Sequence, residues 1–163
     1  VCPDLNPGIF LSEARRCMSQ DEVARRLSAV GAKVRRGKLG SVLAVDFSKK
    51  ITTDVTDEVP PESFGPGAEL PSWVEDLGEC VKCRELVLAG QPIGDSEVQY
   101  LFARLPSLQV VDLDRTWVTD VILDWAESME KLKILSVSGT TITSNRVQVA
   151  RKRLIKTRIV QLD

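Results

Sequence analysis

Apolar residues recur along this chain with a period of 24 or 25 positions. The unit reads Cys83-x-x-Leu86-x-Leu88 followed by Ile93, then Leu108-x-x-Val111-x-Leu113 followed by Val118, then Leu132-x-x-Leu135-x-Val137 followed by Ile142. A partial copy, Thr157-x-x-Val160-x-Leu162, closes the series. A degenerate copy, Val42-x-x-Val45-x-Phe47, opens it, with Ile51 following one residue early, as expected of a terminal unit with a neighbour on one side only. The third anchor therefore falls at 88, 113, 137 and 162.

Within each copy the fourth and sixth positions alternate with variable ones, the period of a strand with one buried face. The second half of each copy changes to helical spacing: Val98, Leu101, Phe102 and Leu105; Val121, Ile122, Trp125 and Ala126; Val147, Ala150 and Leu154. Polar residues stand where each helix starts, and Asp95, Thr119 or Asp120, and Thr143 or Ser144 are placed to accept hydrogen bonds from its first free amides. A strand-then-helix unit of this length cannot cover its own apolar side, so the units must stack. The expected class is α/β, with parallel strands on one side and helices on the other. Residues 1–38 are expected to form an N-terminal helical cap and 39–163 the repeats. A stretch rich in Pro and Gly at about 54–73 reads as a loop insertion, because Phe47 precedes Leu88 by 41 residues.

These residues resemble a short leucine-rich-repeat protein of the type found in bacteria, particularly planctomycetes. The likeness is carried by the repeat itself and by Thr116-Trp117-Val118-Thr119-Asp120 and Thr140-Thr141-Ile142-Thr143-Ser144, which match the T-x-[IV]-T-[DS] turn of that group. Residues 23–47, with a helix ending in Gly31-Ala32-Lys33-Val34 and then Ala44-Val45-Asp46-Phe47-Ser48, resemble its helix-and-first-strand entry. The layout of a helical cap with about four repeats is also similar to the coupling factor B group associated with mitochondrial ATP synthase. The resemblance implies a solenoid with strands on the concave face and helices on the convex face, and it says almost nothing about activity. One departure lies at the ninth position, where the family often has Asn. Here Gln91, Thr116 and Thr140 stand instead, so a ladder based on hydroxyls is expected.

In such a stack the odd strand positions form columns across the concave face. The third-position column is Ala44, Glu85, Val110, Ile134 and Ile159, and the fifth is Asp46, Val87, Asp112, Ser136 and Gln161. The seventh is Ser48, Ala89, Asp114, Ser138 and Asp163. Val110, Ile134 and Ile159 would make an apolar stripe beside Asp112 and Asp114, the composition of a contact surface. The plainer reading is that β-branched residues sit there for strand propensity alone, or that the cap or the insertion folds over them. Asp112 and Asp114 share one face two residues apart, which suits Lys or Arg on a partner better than a metal or a glycosidic bond. Trp117, in the turn after the column, is the tryptophan expected to be exposed at an interface.

Cys80-x-x-Cys83 has a spacing used for redox catalysis and for zinc. Cys83 occupies the place of Leu108 and Leu132, which makes a small buried hydrophobe its default role. The chain has four cysteines and no histidine. Catalytic Ser-His and Cys-His pairs and imidazole metal sites are therefore excluded, and a zinc site would need Cys2 and Cys17 or carboxylates. In an oxidising compartment Cys2 could pair with Cys17. No cofactor, metal or catalytic residue is expected, and a thiol redox protein using Cys80 and Cys83 stands as the alternative of another class.

Charge alters the picture further. The net charge is −1, but residues 1–38 carry 8 basic and 4 acidic side chains, 39–145 carry 8 and 18, and 146–163 carry 6 and 1. Basic ends flank an acidic middle, an asymmetry that concerns association rather than fold. Arg15, Arg16, Arg35, Arg36, Arg151, Lys152 and Arg153 are the candidate secondary contacts. Aromatic residues do not interleave with them, which makes nucleic acid an unsuitable partner, and solvated helix faces account for most of these cations. With 43% apolar and 28% charged residues the composition is that of a globular domain, and no apolar run reaches a transmembrane length. A start at Val1 is compatible with export or organelle import followed by removal of a presequence. The expected function is a non-catalytic protein-interaction module or adaptor, with an accessory or structural subunit of a larger complex, an organellar membrane complex included, as the runner-up.

Overall fold

The computed structural model describes residues 19–48 and 70–162. In chain order the elements are α1 (Gln20–Ala29), β1 (Lys33–Arg36), β2 (Val42–Asp46), α2 (Ser72–Gly78), β3 (Glu85–Val87), α3 (Asp95–Arg104), β4 (Val110–Asp112), α4 (Val121–Ala126), β5 (Ile134–Ser136), α5 (Ser144–Arg153) and β6 (Arg158–Val160). The six strands form one sheet in sequence order. The pair β1/β2 is antiparallel, and β2 through β6 are parallel. The fold is α/β.

Each element follows from its local sequence. Ser19 caps α1 by accepting the Glu22 amide, Asp21 and Glu22 lie at the positive end of the helix dipole, and Val23, Ala24 and Leu27 form its buried stripe. The parallel strands are only three to five residues long. Their stability comes from Val45, Leu86, Val111, Leu135 and Ile159, together with Val42 at the start of β2, all buried beneath the helices. Phe47, Leu88, Leu113 and Val137 continue this layer and are fully buried. The Phe47, Leu88, Leu113 and Val137 amides each donate to the carbonyl of the next strand, at 2.8–2.9 Å. Each helix contacts the next one in the chain, from α1 to α5, in step with the order of the strands. The core is therefore a continuous layer between one row of helices and one sheet.

Several expectations need correction. The N-terminal region contributes a strand as well as a helix: α1 ends at Ala29, and Lys33–Arg36 pairs with β2. Within the expected loop of 54–73, Ser72 and Trp73 belong to α2, where Trp73 is buried with its ring 5.0 Å from that of Phe47. The rest of that insertion that precedes residue 70 lies outside the described residues. On α4 the buried face is Ile122, Leu123 and Ala126, while Val121 is 46% exposed. Among the expected helix caps, Thr143 does accept the Arg146 amide, at 3.4 Å. Asp95 and Asp120 are used differently. Asp95 accepts the amide and the hydroxyl of Thr119 in the next unit, at 2.8 and 2.7 Å, and Asp120 accepts those of Thr143. The two carboxylates tie one unit to the next.

The largest correction concerns the end of the sheet. Ile134 faces Arg158, Leu135 faces Ile159 and Ser136 faces Val160. Ile159 is thus a core residue, 4% exposed, and Leu162, expected as an anchor, is 71% exposed. The reason lies in the preceding turn. The amides of Cys83, Leu108, Leu132 and Thr157 close equivalent turns onto the carbonyls of Cys80, Leu105, Met129 and Leu154. After Leu108 and Leu132 two residues precede the buried strand residue, and the carbonyls of Arg84 and Gln109 each accept two amides. After Thr157 only Arg158 intervenes, and the Lys133 carbonyl accepts the Arg158 amide. One residue fewer shifts every later side chain to the other face.

Candidate functional site

The sheet face opposite the helices carries the candidate site. The register places Arg35, Ala44, Glu85, Val110, Ile134 and Arg158 in one row, and Lys33, Asp46, Val87, Asp112, Ser136 and Val160 in the next. All of these are half-buried or exposed, and Ile134 is 38% exposed. Among the described residues no helix lies over them. Glu85, Val87, Val110, Asp112, Ile134 and Ser136 therefore share one surface. Ile159 leaves it, and Arg158 and Val160 take the places that had been assigned to Ile159 and Gln161.

Polar contacts organise the middle of the surface. The Asp114 carboxylate accepts the Ser136 hydroxyl at 2.6 Å and the Ser138 amide at 2.8 Å. Asp112 accepts the Asp114 amide at 3.0 Å. Burial raises the Asp112 pKa, the Asp114 amide bond opposes this, the Asp114 charge adds to it, and Arg115 opposes it from a distance. No described cation forms an ion pair with either carboxylate. The surface thus presents half-buried carboxylates, with Asp112 flanked across the sheet by Val87 and Ser136 and the Val110/Ile134 pair in the neighbouring row.

The basic candidates divide. Arg35 reaches across β2 to Glu85 at 2.7 Å, so two residues named from sequence neutralise each other. Arg36 pairs with Asp21. Arg151 donates to the Ile159 carbonyl at 3.1 Å, and Arg153 approaches Glu127 at 3.3 Å. Lys152 is exposed. Arg15, Arg16, Cys2 and Cys17 lie outside the described residues.

Trp117 is 40% exposed, as expected, in the loop after β4, where its amide donates to the Ile93 carbonyl. Arg115 in the same loop escaped the sequence reading. It has φ 55°, while Gly90 and Gly139, one unit away on either side, have φ 72° and 66°. Glycine adopts this left-handed region freely, whereas an arginine there is strained. The signal was present in the alignment of Arg115 with the two glycines. The ninth-position ladder is mixed: Thr116 and Thr140 donate to the carbonyls of Leu113 and Val137 within their own units, while Gln91 reaches back to the Phe47 carbonyl.

Cys80 and Cys83 are free thiols in the core. Burial pushes the Cys80 thiol up to about 12 and the Cys83 thiol up to about 11, and Cys83 donates to the Glu85 carbonyl at 3.2 Å. A nucleophilic or metal-binding cysteine requires the thiolate, which these surroundings disfavour. Among the described residues no group of three or more Cys, Asp or Glu could hold a metal ion, and no helix is long and apolar enough to cross a membrane. A shallow cleft of about 410 Å³ runs along the outer edge of β6, lined by Arg151, Arg158 and Leu162 among others; it is the flank of β6 that pairs with no other described strand. No protein-family model matches the chain, and no curated protein matches it.

Proposed function

We propose that this chain is a short leucine-rich-repeat solenoid that works as a non-catalytic protein-interaction module, with its partner lying on the concave, helix-free face. The observation that carries this reading is the row Val110 and Ile134, which no described helix covers, beside the Asp112 and Asp114 carboxylates, which have no ion-pair partner among the described residues. Apolar surface around a partly desolvated charge is the composition of an interface core, and it suits a segment bearing Lys or Arg between apolar residues. The strained Arg115 and exposed Trp117 border the same face at the end of β4, where they would set the rim of the contact. The buried thiols of Cys80 and Cys83, held protonated, fit core packing better than a redox role.

The test is capture of a partner from the native source by the immobilised chain. Val110→Ala with Ile134→Ala, and separately Asp112→Asn, are expected to release the partner while leaving the thermal midpoint nearly unchanged. Full retention of the partner by both variants would remove the concave face from the function.

A further inference from the structure

Because β2 through β6 are parallel, the turns that precede them gather on one edge of the sheet. The tips of these turns are Leu39, Val81, Pro106, Glu130 and Ile155, all exposed. Leu39 is 92% exposed, Ile155 88% and Val81 52%. Four tips are apolar, and none of this hydrocarbon is required by the fold, since the same turn position accepts Glu130. A lysine adjoins four of the five tips: Lys38, Lys82, Lys131 and Lys156. All four lysines are exposed, and none forms an ion pair with another described residue. Arg84, Lys133 and Arg158 each stand two residues after one of these lysines, and Glu130 is the sole carboxylate in segments 36–42, 80–84, 105–109, 129–133 and 154–158, while the nearby Asp21, Glu79 and Glu127 each pair with an arginine, Arg36, Arg104 and Arg153. Among the described residues the opposite edge has the reverse sign, with Asp46, Asp95, Asp112, Asp114 and Asp120 against Lys33 and Arg115. The molecule is polarised across its sheet.

We propose that the edge bearing Leu39, Val81 and Ile155 is a docking surface for an anionic lipid bilayer. Strands lie about 4.8 Å apart, so the five tips span roughly 20 Å in a row. Isolated aliphatic side chains separated by lysines suit the boundary between headgroups and acyl chains, where hydrocarbon enters while the ammonium groups meet lipid phosphates. A protein partner would require a contiguous apolar patch, which a row of separate pegs does not supply. Nucleic acid would make use of the lysines but not of the pegs, and the tips include no aromatic residue on which a base could stack. The acidic edge turns away from such a surface, so the charge distribution also orients the chain on it.

Sedimentation of the full chain with phosphatidylcholine vesicles, with and without phosphatidylserine, tests this directly. Binding is expected only with phosphatidylserine and should fall as salt rises. Lys38→Gln, Lys82→Gln and Lys156→Gln should each weaken it about fivefold. Leu39→Ser and Ile155→Ser should each weaken it about tenfold, and Arg25→Gln on α1 should leave it unchanged. Ile155→Glu, a residue the sister turn already carries, should leave the thermal midpoint unchanged and abolish binding. Equal binding to vesicles without phosphatidylserine, undiminished binding by the Leu39→Ser/Ile155→Ser double variant, or tighter binding to a DNA duplex than to the vesicles would each overturn the proposal.

Discussion

The turn before β5 and the turn before β6 begin alike and end differently. Both close with an amide donating to a carbonyl three residues back, from Leu132 to Met129 and from Thr157 to Leu154. From Leu132 the chain takes two residues to reach its buried strand residue, Leu135, whereas from Thr157 it takes one to reach Ile159. The inner unit also has a neighbour on each side and is tied by Thr143 to Asp120, while the outer strand pairs on one side only among the described strands. The contrast shows that the repeat holds its register through its turns, and that a single residue between turn and strand decides which side chains become core.

The comparison can be broken most severely at its regular half. Leu135→Ala removes a fully buried side chain between two strands and should cost about 3–4 kcal/mol in denaturant unfolding. At the terminal half, Ile159→Ala should cost about 2–3 kcal/mol and Leu162→Ala under about 0.5 kcal/mol. The reverse order would mean that the last strand follows the spacing Thr157-x-x-Val160-x-Leu162 after all.

A pH series probes the thiols under the β3 unit. Their folded pKa values lie above the ordinary 9.0, so the unfolded chain ionises first. The stability they contribute is complete below pH 9 and lost as pH rises toward 11 and 12, at up to about 1.4 kcal/mol per pH unit for each thiol. Melts of the parent and of a Cys80→Ala/Cys83→Ala variant should therefore converge at alkaline pH; parallel curves would show that the thiols ionise freely in the folded chain. A smaller effect than at the core anchors is expected at the inter-unit tie. Asp120→Ala removes the acceptor of the Thr143 amide and hydroxyl at an exposed site and should cost about 1 kcal/mol, readable as a shift in the thermal midpoint. No shift would mean that water replaces the carboxylate.

Much of the arrangement was legible in the spacing of anchors. Leu86, Val111 and Leu135, with Leu88, Leu113 and Val137, form the buried layer that their alternation implies, and the adjacency of Val110, Ile134 and Asp112 follows from their places within the repeat. The N-terminal strand was not legible, because Lys33-Val34-Arg35-Arg36 has no apolar alternation and its pairing depends on β2 offering an edge. The pairing of Arg35 with Glu85 was hidden for the same reason: 50 residues separate them, and only the β1/β2/β3 register brings them together.

The sequence alone determined the period, the inward set of each inner unit, and the segregation of charge, because side-chain alternation and turn chemistry are local properties repeated without change. Tertiary structure decided the face of β6, the use of Asp95 and Asp120 as ties between units, and the gathering of Leu39, Val81 and Ile155 on one edge. These depend on which strands lie side by side and in what direction, and parallel pairing across dozens of residues is a relation that no single segment contains.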